Sequence, residues 1–164
     1  VARNLPYATL GGAIERHNAH AEDAIQLRGG WTMDIDELYG MAECTPDDID
    51  LLQTYDDYPV ISMMQIEDLG FCAKGEAPEF VRDHDLTVNG DFPHNTSGGQ
   101  LSAGQAGAAG GFIGMVEALR QVTGTAGGTQ VADAKTAMVS GFGMINYDRG
   151  VCTSASILKT GARA

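Results

Sequence analysis

The chain has 164 residues, enough for one domain with a substantial buried core. Ten Lys and Arg stand against 22 Asp and Glu, a net charge of −12, which argues against a nucleic-acid or anionic-membrane surface. Cys44, Cys72 and Cys152 are widely spaced, with no CxxC pair and no His-rich spacing, so neither a zinc site nor a disulfide framework is expected. No stretch reaches the ~18 apolar residues of a membrane span and no signal-peptide core is present, so the expectation is a soluble, cytoplasmic protein.

Residues 6–16 alternate weakly and predict a strand whose glycines allow close packing. A polar connection follows to about Gly30. From Thr32 to Ala42 the apolar residues Met33, Ile35, Leu38, Tyr39 and Met41 recur near helical spacing, with Thr32 as the expected N-cap. The acids Asp34, Asp36 and Glu37 read as its solvated face, and Asp47, Asp48 and Asp50 as a turn. Residues 48–55 then form a short apolar run, read as a buried strand.

Val60 to Leu69 predicts a helix with Val60, Met63, Met64, Ile66 and Glu67 inward and Gly70 as its stop. The order strand, polar residue, helix places Tyr55 at the carboxyl end of a strand, where α/β sheets put their chemistry. A small surface helix is expected at 79–85 and a turn at Asn89 and Gly90. A helix from about Ser102 to Thr123 should present Phe112, Met115, Val116, Leu119 and Val122 as its apolar stripe, with Gly111 and Gly114 serving close packing. Residues 136–143 and 154–159 read as two strands around a loop at 144–153, and Met63, Met64 and Trp31 as core or interface residues.

The segment Asn95–Phe112 holds six glycines and four alanines and runs into a helical pattern, so its working surface is backbone rather than side chain. N–H groups left unpaired at a helix start suit an anion or a developing oxyanion. This segment, with Asn95, Gly98, Gly99, then Gly104, Gln105, Ala106, Gly107, Ala108, Ala109 and Gly110, resembles the glycine-rich loop in the C-terminal half of the thiolase superfamily. Gln105 stands at the histidine of that loop. Residues 55–72 are similar to the stretch of sterol-carrier-type thiolases that begins His-Asp-Cys-Phe, with Tyr55 in place of the histidine and Asp56 matching the aspartate. The match covers most of residues 42–160.

The resemblance implies an α/β fold, a thiolase-like half layered α/β/α around a mixed five-stranded sheet. Residues 1–164 would form a thiolase-like C-terminal domain whose N-terminal half is absent from the chain. The chain begins at Val1, which fits a fragment, a processed product, or a protein whose other half is a separate polypeptide. Thiolases carry a second cysteine where Ser140–Gly143 stand here, so ordinary thiolysis is disfavoured. The substitutions resemble the thiolase-like aldolases of bacterial steroid side-chain degradation, which perform a retro-aldol cleavage of a β-hydroxyacyl-CoA.

On that resemblance Tyr147 is the expected base, helped or opposed by its neighbours Arg149 and Asp148, and Tyr55 a second acid/base or orienting group. Asn95 and Gln105 shape the site, Asp56 bonds the glycine-rich loop, and Gly98, Gly99, Gly104, Gly107 and His94 contribute to substrate binding. His94 alone reads more readily as a hydrogen-bonding surface group than as a base, and a tyrosine as a packing residue. No cofactor is expected beyond coenzyme A as part of the substrate. The implied partners are the N-terminal thiolase half or a second thiolase-like subunit, and an OB-fold and zinc-ribbon protein. The rival readings are an acyltransferase whose cysteine sits in the missing half, and a non-catalytic acyl-CoA-binding subunit.

Overall fold

The computed structural model describes residues 7–17, 29–105, 110–146 and 149–161. In chain order these form β1 (Tyr7–His17), α1 (Trp31–Ala42), β2 (Leu51–Gln53), α2 (Pro59–Asp68), α3 (Ala77–Asp83), α4 (Gly99–Ala103), α5 (Phe112–Val122), β3 (Thr136–Asn146) and β4 (Arg149–Gly161). The sheet is mixed, in the order β1-β4-β3-β2. β4 is antiparallel to both neighbours, and β2 is parallel to β3. Four strands are therefore present among the described residues where five were expected. Beyond β2 one parallel bridge, Leu52 to His94, marks a further position at that edge.

Alternation along the strands sorts the core into two layers. Leu52, Met138, Ala155 and Ile157 face α1 and α2, where they meet Trp31, Leu38, Tyr39, Ile66 and Leu69. Leu51, Ala137, Val139 and Leu158 face α5 and pack on Ala118 and Val122. The expected α/β/α layering is thus present. α1 crosses β1 so closely that a Cβ on Gly12 would lie 3.0 Å from the Leu38 side chain and 3.1 Å from Met41. Gly12 also sits at the one register shift between β1 and β4.

Several local expectations are corrected. The N-cap of α1 is Gly30, not Thr32, whose hydroxyl instead donates back to the Gly29 carbonyl at 3.0 Å. α2 buries Ser62, Gln65 and Asp68 together with Ile66, whereas Val60 is solvent-exposed: its inward face is mainly polar because it caps a strand end. The strand at 48–55 narrows to Leu51–Gln53, preceded by a 3-10 turn at Pro46–Asp48. The helix expected over 102–123 is two helices, and Gly104 between them has φ +113. The loop expected at 144–153 is mostly strand, β3 running to Asn146 and β4 starting at Arg149.

The apolar stripe of α5 divides. Val122 is buried, but Phe112, Val116 and Leu119 are 66%, 53% and 40% exposed, while the polar Glu117 and Gln121 are buried. Glu117 accepts from Thr96 and Gln121 through one oxygen and from Arg120 through the other, which compensates its burial. Gly114 does serve close packing, since a Cβ there would meet Gln53 at 3.2 Å and Val139 at 3.3 Å. At Gly111 nothing lies that near.

Candidate active site

The end of β2 and the glycine-rich segment meet at one edge of the sheet, and a set of polar side chains fixes both. Asn95 adopts a left-handed conformation, φ 45, which asparagine tolerates better than most residues. Its N–H donates to the Leu52 carbonyl at 3.0 Å and its carbonyl accepts from Gly98 N–H at 2.7 Å. Its side-chain Oδ1 accepts the Thr54 N–H at 2.8 Å, binding the strand end to the loop. The Thr54 hydroxyl in turn pairs with His94 Nε2 at 2.8 Å and with the Ser62 hydroxyl of α2.

Tyr55, two residues past β2, is half-buried. Its hydroxyl accepts from Gln105 Nε2 at 3.1 Å, so two predicted site residues are brought together. Its ring lies 6.4 Å from that of Phe142, which stacks on Trp31 at 5.9 Å. Asp56 is buried and bonds the glycine-rich segment as expected, accepting the Gln100 N–H at 2.8 Å. Its other oxygen lies 1.9 Å from where a Cβ on Gly99 would stand, and Gly99 has φ +63, so both space and backbone demand glycine there.

Gly98, φ +93, faces Ser102, and Gly104, φ +113, opens to free space. Tyr147, Asp148 and Gly107 lie outside the described residues, as does the side chain of Arg149.

Burial shifts the titration of both Tyr55 and His94 toward the uncharged form. It pushes the Tyr55 phenol up from its ordinary value; the bond from Gln105 works against this, and Asp57 and Asp56 add to it. Burial also lowers His94 to about 4, against the pull of Asp56, so its imidazole is uncharged at neutral pH. The Cys72 thiol is raised to about 11 by burial and by Glu67 and Glu76, and Cys44 is raised chiefly by burial. Cys152 gives its thiol hydrogen to the Gly143 carbonyl at 3.4 Å. The site thus offers a protonated phenol backed by an amide.

Gln65 was not foreseen. It is fully buried on α2 and brackets the Tyr55 peptide, accepting its N–H at 3.1 Å and donating to its carbonyl at 2.7 Å. The available signal was the polar spacing Ser62, Gln65, Asp68 on a helix whose apolar residues suggested another inner face.

Residues 11–156 match the family model described as thiolase C-terminal domain-like. A steroid side-chain-cleaving aldolase of Thermomonospora curvata is 34% identical over 133 residues, spanning 76% of this chain and 33% of that protein. The 17-hydroxy-3-oxo-4-pregnene-20-carboxyl-CoA lyase of Mycobacterium tuberculosis is 38% identical over 89 residues, 54% of this chain and 22% of the lyase. Among solved structures, the Ltp2-ChsH2(DUF35) aldolase superposes with a TM-score of 0.81 at 30% identity, covering 98% of this chain and 41% of that one. The chain therefore spans well under half the length of these relatives. With the family model matched over most of its length and the layered mixed sheet in place, the chain belongs to the thiolase C-terminal domain-like family.

Proposed function

We propose that this domain is part of a carbon–carbon lyase that cleaves a β-hydroxyacyl-CoA by a retro-aldol reaction, with coenzyme A entering as part of the substrate. The observation that carries the reading is the pair Tyr55 and Gln105 at the end of β2, where the amide donates to the phenolic oxygen of a tyrosine whose titration burial moves up. A base removes the proton of the β-hydroxyl, and the Cα–Cβ electron pair moves onto the thioester as an enolate while the C–O bond becomes a ketone. Tyr55 returns a proton to Cα, so the products are a ketone and a shortened acyl-CoA. Gln105 donates to the phenolic oxygen and leaves the Tyr55 hydrogen for the substrate. Tyr147 is the proposed base. No acyl-enzyme forms, so no nucleophilic thiol is needed. The names of the aldolase and lyase relatives support this reaction class, and that of the mycobacterial lyase supports a steroid CoA ester as substrate.

The exposed Phe112, Val116 and Leu119 of α5 lie at three- and four-residue steps and form one apolar stripe, which we assign to the other thiolase half or a thiolase-like subunit. An accessory subunit of the OB-fold and zinc-ribbon kind is proposed on the paired name of the structural relative.

The test is Tyr55→Phe in the full-length protein assembled with its partner, with 17-hydroxy-3-oxo-4-pregnene-20-carboxyl-CoA as probe and ketone release as readout. The expected loss in kcat is about a hundredfold or more, the usual contribution of a positioned acid. Unchanged ketone release in that variant would refute the role of Tyr55. CoA-dependent thiolysis by the wild type in place of ketone release would refute the reaction class.

A further inference from the structure

We infer that Gln65 is the positioning residue for Tyr55: its side-chain amide replaces the neighbouring strand at the end of β2 and turns the phenol out toward Gln105. The inference rests on the reading of Tyr55 as a reacting group. β2 pairs with β3 in parallel register, Leu51 with Ala137, Leu52 with Met138 and Gln53 with Val139. Continued, that ladder would lay Tyr55 beside Gly141. Instead it ends, and the Gln65 amide stands between the two chains. Oε1 accepts the Tyr55 N–H at 3.1 Å and the Ser140 hydroxyl at 2.7 Å. Nε2 donates to the Tyr55 carbonyl at 2.7 Å and to the Ile61 carbonyl of its own helix at 3.0 Å.

A glutamine amide has two donors and two acceptor lone pairs, and all four are used. The partner set also fixes which way the amide faces, because the reverse orientation would set NH₂ against the Tyr55 N–H and oxygen against two carbonyls. The residue has no exposed surface, so each bond left unmade would leave a buried polar group without water. With the peptide held by Gln65, the ring by Phe142 and the hydroxyl by Gln105, Tyr55 is fixed at three points. A residue that merely filled space would not need an amide. One that replaces a strand edge needs both a donor and an acceptor on the same side.

The full-length protein with its partner, and the same steroid CoA probe, decide the matter. Gln65→Met keeps the length and loses every bond; it should lower kcat about tenfold to a hundredfold with KM changed less than about twofold, the scale of a small misplacement. Placed in the Tyr55→Phe background, the same change should cost less than about twofold more, because Gln65 acts through the phenol. Gln65→Glu should be poor at pH 8, where a carboxylate faces two carbonyls, and recover about tenfold by pH 6, where the neutral acid accepts as before and its single O–H restores one of the two donated bonds.

A Gln65→Met variant with unchanged kcat, or one whose loss is equally large with Phe at position 55, overturns the inference. If Gln65→Met does not assemble, Gln65→Glu decides alone: activity that does not recover on acidification overturns it. Should Tyr55→Phe itself be silent, the assignment of Tyr55 to the chemistry falls. Hydrogen exchange of the Tyr55 peptide then isolates the hold by Gln65: exchange at least about tenfold faster in Gln65→Met supports it, and unchanged exchange overturns it.

Discussion

Acidification should destabilise this domain through His94, and the size of the effect follows from its surroundings. The imidazole bonds the Thr54 hydroxyl at 2.8 Å and is shielded enough that its pKa falls to about 4. An unfolded histidine titrates near 6.5. The folded state therefore refuses a proton that the unfolded chain accepts, and stability rises with pH between those two values. It is fully present above about pH 6.5 and is lost as the pH falls toward about 4. At 1.36 kcal/mol per decade of proton affinity the whole effect is about 3 kcal/mol, of which about 2 kcal/mol is gone by pH 5. The assay is denaturant unfolding of the wild type and of His94→Gln, which can still bond Thr54 but does not titrate. Between pH 7 and pH 5 the wild type should lose about 2 kcal/mol more than the variant. Equal losses in the two proteins, or an imidazole NMR titration centred near 6.5, would refute the reasoning.

Two further outcomes follow from the same geometry. Gly99→Ala places a methyl group on the Asp56 carboxylate and a side chain at φ +63, so it should cost about 3 kcal/mol in thermal unfolding from backbone strain and the displaced bond to Gln100. Gly104→Ala, at φ +113 with nothing within 4 Å, should cost only the strain, and equal losses would show that the carboxylate contact is unimportant. On α5, Phe112→Ser with Val116→Ser should change fold stability by less than about 0.5 kcal/mol each while preventing association with the other thiolase half in size-exclusion chromatography. Intact association would remove the stripe from that interface.

The strand-to-helix order around Tyr55 was legible because β2 is a dense apolar run, α2 begins at a proline, and little but a polar turn fits between them. The bond from Asp56 to the glycine-rich segment followed from the family resemblance and is present at Gln100. The α5 stripe was legible as a pattern, but periodicity says only that a face is apolar. Phe112, Val116 and Leu119 face away from this sheet, and the buried side instead takes Ala118, Glu117 and Gln121. For the same reason Gln65 was missed: a glutamine on the inner side of a helix makes sense only once Tyr55 and Ser140 are known to converge there. Short-range signals locate elements, whereas the partners of a buried amide come from three separate stretches of chain.

His94 and Tyr55 flank the same strand end, and burial acts on both in one direction, toward the uncharged form. The consequences for chemistry are opposite. A histidine at about 4 is not an imidazolium acid at neutral pH and binds a second proton too weakly to be an effective base, while its Nε2 bonds the Thr54 hydroxyl. A phenol raised above its ordinary value keeps its proton, and Gln105 bonds its oxygen, which suits the proton-donor role proposed for Tyr55. Among the described residues, this strand end therefore fits the acid of the proposed reaction better than its base. Thiolysis would call here for an imidazole or thiolate that takes protons; a retro-aldol cleavage needs a donor at Cα and can draw its base from another segment, the role proposed for Tyr147. If Tyr147→Phe left kcat and its pH profile unchanged in the assembled protein, the base would have to come from the other half.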